Sequence, residues 1–268
     1  MNNPIRPTLA IAFLFFCQFA YAGAWTLAKG TGYNKVAVNV FQADDQFGTG
    51  QAGFEEFNDV TIGYYAEYGL TDKLTFIGQI PFRRSNNETL GVTTETTGIG
   101  DVDLGLRYNL LNDKWVFSTQ FLYKAPFLYD EDEELPLGNG QSDLEVRLQL
   151  GKSLYPYGYL GLETAYRFRA EDPSDEIRYL VEYGFDLTSN IYLRAKLDVI
   201  QAIDSTDVVL TSDGNPNFPN AFDLSNVETS AGYKFGDKTS VEFTFTQAVS
   251  GENILDGDTF QFGFVFAL

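Results

Sequence analysis

Apolar and polar residues alternate with a period of two through unusually long segments, and this alternation constrains the fold more than any other feature. In one segment Val60, Ile62 and Tyr64 share one face, while Asp59 and Thr61 share the other. Successive side chains of a strand point to opposite sides of a sheet, so each segment has one apolar side. No position assigned to these apolar sides carries Asp, Glu, Lys or Arg. A lipid-facing charge at mid-membrane costs about 2–4 kcal/mol for Lys or Arg, which explains such an exclusion.

The alternating segments number twelve. They lie near residues 33–43, 57–70, 74–84, 97–110, 115–127, 141–150, 157–169, 177–187, 191–202, 226–235, 239–249 and 259–268. The connections are short at one end and mostly longer at the other, as in bacterial outer-membrane barrels. Strands of soluble sandwiches and barrels also alternate apolar and polar residues. A soluble closed barrel of this size, however, would turn its apolar faces toward an interior that no side chains fill. We therefore predict an all-β fold, a transmembrane antiparallel up-and-down β-barrel of about twelve strands with short periplasmic turns and acidic extracellular loops.

The N-terminal residues 1–22 are typical of a secretory signal peptide. Arg6 precedes an apolar run over residues 9–20, and a small-x-small site ends at Ala22. The run is too short for a transmembrane helix, which needs roughly 20 apolar residues. Cleavage after Ala22 is favoured over cleavage after Ala24, and Cys17 is then removed with the signal. The predicted organisation is signal peptide 1–22, a short periplasmic segment 23–32 and the barrel 33–268.

The balance of charges excludes several classes of function. The sequence has 37 acidic residues, 18 basic residues and no histidine. Without Arg6, 17 bases remain against 37 acids, a net charge of −20 that opposes binding to nucleic acid. Catalysis that uses histidine as the base is impossible, and pairs such as Asp101 with Asp103 share the polar face with Arg107, which indicates ion pairing. The sequence contains no Gly-rich phosphate loop and no metal-ligand cluster, so we predict neither an enzyme nor a cofactor.

The polar faces carry nearly equal numbers of acids and bases, and these residues are the candidate pore lining. The best candidates are Arg83, Asp101, Asp103, Arg107, Lys124, Glu145, Arg147, Arg167, Arg178, Glu182, Arg194 and Lys196. Ion pairs across neighbouring strands would seal the lumen, whereas opposed acidic and basic walls would line a water-filled path. Barrels of about eight strands are filled by side chains and those of about 16–18 are open. Twelve strands lie between these limits and favour a narrow, selective pore.

The excess negative charge lies in the predicted extracellular loops, including residues 130–134. Carboxylates there would loosely hold divalent cations that also bridge lipopolysaccharide. The same field would attract cations to the mouth and repel anions. The expected location is the bacterial outer membrane. The expected partners are its lipid, its lipopolysaccharide, a small-molecule solute and, during biogenesis, the barrel-assembly machinery.

Residues 97–111, TGIGDVDLGLRYNLL, carry a resemblance to a known family. This segment resembles the signature strand of the transporter-like outer-membrane β-barrel family linked to the MetA pathway of phenol degradation. The resemblance implies a barrel associated with uptake of aromatic or other small compounds. The acidic mouth of this chain argues against aromatic carboxylates and leaves neutral or cationic solutes open.

The predicted function is therefore passive uptake of small neutral, aromatic or cationic solutes through a narrow charged lumen. The alternative is a non-conducting barrel that serves envelope structure or surface contact through divalent-cation-binding acidic loops.

Overall fold

A computed structural model describes residues 23–48, 53–171, 173–204 and 215–268. The predicted signal peptide, residues 1–22, lies outside the described residues. In the described part of the chain, no helix is long and apolar enough to cross a membrane.

The described residues form one sheet of strands. These are β1 (Gly32–Phe47), β2 (Phe54–Thr71), β3 (Leu74–Thr89), β4 (Val92–Ile99), β5 (Val102–Asn112), β6 (Val116–Ala125), β7 (Asp143–Ser153), β8 (Tyr159–Arg169), β9 (Glu176–Asp186), β10 (Ile191–Ala202), β11 (Asp223–Lys234), β12 (Thr239–Glu252) and β13 (Ile254–Ala267). Each strand pairs with its neighbours in antiparallel register, and β1 pairs with β13 to close the sheet.

Strands β4 and β5 are two parts of one barrel strand, because both pair with β3. The ladder is interrupted opposite Pro81, which has no N–H group to donate. The amide of Gly100 still donates to the Pro81 carbonyl at 3.1 Å. The closed barrel therefore has twelve strands, which confirms the predicted fold class.

The alternation separates the two surfaces of the barrel. Ile62 and Phe262 on the outer surface are 50% and 58% exposed, whereas Asp59 and Glu67 on the inner surface are 3% and 6% exposed. An apolar outer surface facing hydrocarbon and a polar inner surface are the arrangement of a transmembrane barrel.

Two outer connections are shorter than the sequence predicts. Strand β3 was expected to end near residue 84 but continues to Thr89, and the chain turns at Leu90 and Gly91 with φ of 52° and 73°. Strands β12 and β13 are joined at Asn253, with φ of 56°. Left-handed backbone at these positions permits tight hairpins, so polar residues predicted as loop continue the strands instead.

Two other outer connections fold into the mouth of the barrel. In the 126–142 connection, Leu135 and Leu137 are 1% and 2% exposed, and Leu135 joins a cluster with Phe57 and Leu255. Residues 215–222, which precede β11, contact the 126–142 connection, since the Asn215 amide donates to the Pro136 carbonyl at 2.8 Å. Together these segments narrow the outer end of the lumen.

Candidate functional site in the barrel lumen

The segment 23–31 lies inside the lumen at the end of the short turns, and we call it the N-terminal segment. Ala24 and Leu27 are 2% and 3% exposed. The Ser118 hydroxyl donates to the Ala24 carbonyl at 2.5 Å, and the Leu27 amide donates to the Thr75 hydroxyl at 2.9 Å. The sequence predicts a short periplasmic segment over residues 23–32, and in the structure its apolar residues Ala24 and Leu27 pack within the barrel, where they are removed from water.

Glycines on the inner surface make room for the N-terminal segment. A Cβ atom at Gly69 would overlap the Ala28 carbonyl, and one at Gly151 would contact the Trp25 ring. A glycine within a strand allows such a close approach of another backbone or side chain. Glycine at both positions therefore leaves the space that the N-terminal segment occupies.

Beneath the N-terminal segment, the inner surface of β5–β8 is closed by buried ion pairs, and we call this surface the covered wall. Glu145 has a side chain that is 0% exposed and accepts from Arg147 at 2.7 Å and Arg167 at 2.9 Å, with Arg178 at 3.9 Å. Arg147 also contacts Glu163 at 2.6 Å. Charges this deeply buried require full pairing, because an unpaired one would carry a large desolvation penalty.

Arg107 links the covered wall to the N-terminal segment. Its side chain is 4% exposed and pairs with Glu67 at 3.0 Å. The same guanidinium donates to the Trp25 carbonyl at 3.1 Å and to the Gln120 side chain at 3.2 Å. Arg107 therefore holds the segment in place and does not face open solvent.

The inner surface of β10–β13 and β1 lies across the barrel, and we call it the open wall. Arg194 lies 3.1 Å from Glu242 and 3.5 Å from Glu228. Lys35 pairs with Glu242 and Lys196 with Glu228, both at 2.7 Å. The side chains of Arg194 and Lys196 are each 21% exposed, so these pairs remain in contact with water.

Two cavities follow one another along the lumen. The inner cavity, about 370 Å³, lies against the open wall, and the outer cavity, about 530 Å³, lies below the inward-folded connections. Asn39, Gln79 and Gln261 line both cavities. The Gln261 amide donates to the Asn39 carbonyl oxygen at 2.5 Å, so neutral amides, which we call the neck, lie between the two cavities.

The structure distributes the twelve candidate pore residues over three places. Arg83, Asp101, Asp103, Lys124 and Arg167 line the outer cavity, and Glu182, Arg194 and Lys196 line the inner cavity. The remaining candidates, Arg107, Glu145, Arg147 and Arg178, take part in the ion pairs of the covered wall.

Sequence reasoning missed the neck amides, the N-terminal segment and Phe41. Phe41 lines the outer cavity and contacts the Phe57 ring at a centroid distance of 6.0 Å. The available signal was its position, since Phe41 lies on the same face of β1 as Lys35 and Asn39.

Carboxylates are brought together outside the membrane at the outer mouth. Asp45 lies opposite Asp256 in the β1–β13 ladder, and Asp258 follows two residues later. Partial burial, followed by the charges of Asp45, Asp258 and Asp44, raises the pKa of Asp256. In the described part of the chain, no group of three or more His, Cys, Asp or Glu residues is arranged to hold a metal ion. These carboxylates therefore create a diffuse negative field at the mouth.

Comparisons with known proteins support the fold. No protein-family model matches the sequence. No curated protein matches it either. The resemblance to the phenol-degradation family therefore stays a prediction.

Solved structures do share the architecture. The COG4313 outer membrane channel from Pseudomonas putida F1 superposes with a TM-score of 0.73 at 16% identity, covering 94% of this chain and 100% of that one. The translocator domain of the autotransporter NalP from Neisseria meningitidis gives a TM-score of 0.53 at 13% identity, covering 90% and 89%. The NanC porin gives 0.51 at 9% identity, covering 86% and 98%. At these identities the likeness shows the barrel fold.

Proposed function

We propose that the chain is an outer-membrane channel or facilitator for passive uptake of small neutral, aromatic or cationic solutes. The observation that carries this proposal is the pair of cavities that lie on either side of the neck of Asn39, Gln79 and Gln261. A barrel built for structure alone has no need of consecutive polar spaces along its axis.

The neck would select solutes by size and hydrogen bonding. Its amides offer both donors and acceptors but carry no net charge. A solute can therefore exchange hydrogen bonds with water for hydrogen bonds with the neck, without meeting a fixed charge of its own sign there. The acidic mouth would add a preference for cations over anions.

The fold agrees with this proposal. The structure that superposes at a TM-score of 0.73 is described as an outer membrane channel. Export through the predicted signal peptide, contact with membrane lipid and lipopolysaccharide, and insertion by the barrel-assembly machinery belong to the same proposal.

Single-channel recording of the purified, folded barrel in a planar bilayer tests it. We expect discrete conductance steps with a preference for cations over anions. Swelling of liposomes that contain the barrel, with a panel of neutral, cationic and anionic small molecules, would define the solutes. Silence in both measurements from folded protein would contradict the proposal.

A non-conducting barrel with a structural or surface-contact role is the second candidate. The observations that favour it are the N-terminal segment, the inward connections and the fully paired covered wall, which together occupy much of the lumen. Absence of conductance, combined with weakened envelope integrity in cells that lack the protein, would support this role.

A further inference from the structure

We propose that the outer cavity binds organic cations with a compact apolar body, such as arylalkylammonium ions. This inference rests on the proposed channel function and supplies its solute class.

The outer cavity has two chemically different sides. Apolar side chains line one side and come from β1, β10, β11, β13 and the 215–222 connection; they are Phe41, Ile200, Phe218, Phe222, Leu224 and Leu255. The other side carries charged residues of β2, β3, β5, β6 and β8. In the order of the twelve-strand barrel, the β4–β5 strand lies six places from β11, so Asp103 and Leu224 belong to opposite sides. A ligand that spans the cavity must present an apolar part and a polar part.

Most charges on the polar side already have partners. Asp59 pairs with Arg83 at 3.1 Å and accepts from Ser85 at 2.6 Å. Asp101 pairs with Lys124 at 3.3 Å and accepts from the Tyr129 hydroxyl at 2.6 Å. These groups have little capacity left for a solute.

The bases on this side are also engaged. Arg167 lies 2.9 Å from Glu145 and 3.6 Å from Asp143. The Arg83 guanidinium lies over the Phe218 ring, 4.7 Å from its centroid. A free anion entering the cavity would have to compete with these partners.

Asp103 differs from the other lining acids. Within the described residues it forms no ion pair, and its Oδ1 atom is buried without a hydrogen-bond partner. An ammonium group would supply both an opposite charge and N–H donors to this carboxylate. The aromatic or aliphatic body of the same ligand would cover the Leu224 and Phe222 side of the cavity.

Access favours the same class of ligand. Asp45, Asp256 and Asp258 lie at the outer rim on the outward face of β1 and β13, and their field raises the concentration of cations near the mouth. A carboxylate of the same size would be repelled at the mouth and again at Asp103.

Isothermal titration calorimetry with the full barrel folded in detergent tests the site directly. We expect 2-phenylethylammonium to bind more tightly than 2-phenylethanol, methylammonium or 3-phenylpropanoate. Asp103→Asn should weaken 2-phenylethylammonium binding about tenfold and change 2-phenylethanol binding less than about twofold, because a charge-assisted hydrogen bond is lost. Asp237→Asn is the matched control, since it removes one acid from the turn between β11 and β12 at the other end of the barrel and should leave affinity within about twofold.

A second variant keeps the test valid if Asp103→Asn does not fold. Phe222→Ala should weaken 2-phenylethylammonium and 2-phenylethanol alike, since both place their ring on that side. Binding that is equal for the ammonium and the carboxylate, or unchanged by Asp103→Asn in folded protein, would overturn the inference.

Measuring conductance alongside binding distinguishes failure of this inference from failure of the proposed function. Binding without conductance would leave the site standing and contradict the channel. Conductance without 2-phenylethylammonium binding would leave the channel standing and contradict the cation site.

Discussion

The covered wall and the open wall use the same residue types in different environments. On the covered wall Glu145 has a side-chain exposure of 0%, and Arg107 one of 4%. On the open wall the side chains of Arg194 and Lys196 are each 21% exposed, only slightly more than Arg147 of the covered wall at 19%. The two walls differ in what they face, since the N-terminal segment contacts Arg107 of the covered wall, whereas Arg194 and Lys196 of the open wall line the inner cavity. Luminal charges therefore hold the N-terminal segment on one wall and line the inner cavity on the other.

Removal of the N-terminal segment should have the largest effect on this difference. Deletion of residues 23–30 from the exported chain would uncover Arg107 and the β6 surface. We expect single-channel conductance to rise roughly two- to fivefold, since a twelve-strand barrel without the segment approaches an open lumen. Tyr157→Ala, at a 75% exposed position at the same end, is the control and should leave conductance unchanged. Unaltered conductance after the deletion would contradict the role of the segment.

Loss of one buried acid should cost more on the covered wall than on the open wall. Glu145→Gln removes the carboxylate that Arg147, Arg167 and Arg178 share, and we expect about 3 kcal/mol of destabilisation, the lower end for a broken buried pair, because each arginine keeps a second acid. Glu228→Gln, where water can replace the lost partner, should cost about 1 kcal/mol or less. Urea unfolding in lipid vesicles measures both free energies. Equal losses would show that the two walls do not differ in solvation.

Ion selectivity should change more when a charge is lost from the open wall than when one is lost from the covered wall. Lys196→Gln removes a positive charge from the inner cavity, and we expect the cation-to-anion permeability ratio to rise about twofold. Arg147→Gln should lower stability and leave the ratio of the folded protein unchanged, because Arg147 is fixed between Glu145 and Glu163. Reversal potentials in a salt gradient measure both variants. A larger shift for Arg147→Gln than for Lys196→Gln would reverse the assignment of the walls.

The smallest effect is expected at the outer mouth, away from both walls. Because the pKa of Asp256 is raised, its contribution to stability is present below the ordinary aspartate value, about 3.9, and is lost as pH rises through the raised value. Asp256→Asn should therefore be a few tenths of a kcal/mol more stable than the native chain at neutral pH and equal to it near pH 3. Urea midpoints at the two pH values check this, with Asp237→Asn at a turn of the other end as control. A variant less stable at neutral pH would contradict the expected sign.

The barrel could be predicted from the sequence because lipid acts on every outer position at once. The exclusion of charge from residues such as Ile62 and Phe262 fixes which face is outward, and this in turn fixes the inner positions of Glu145 and Arg194. The outer hairpins were harder to predict, since beyond the membrane polar residues such as Thr93 and Glu95 fit a strand and a loop equally well. The turn at Leu90 requires a positive φ that its residue type does not indicate.

The division of the lumen could not be predicted from alternation. The alternation with a period of two residues places Arg147 and Lys196 on the same inner surface. It does not indicate which other segments of the chain contact them. The N-terminal segment has no repeating pattern, although Ala24, Trp25 and Leu27 were apolar residues in a region expected to face water. Its position depends on contacts far apart in sequence, such as Ser118 with Ala24.

Chemical access to single cysteines tests the difference between the two walls most directly. The one cysteine of the sequence, Cys17, lies in the predicted signal peptide, so a chain that begins at residue 23 offers a thiol-free background. We predict that a small charged thiol reagent modifies Gln261→Cys at the neck rapidly and reduces the single-channel current. We also predict that Ser118→Cys, at a position 0% exposed beneath the N-terminal segment, stays unmodified over the same period. Equal labelling of the two, or faster labelling at position 118, would contradict a solute path along the open wall.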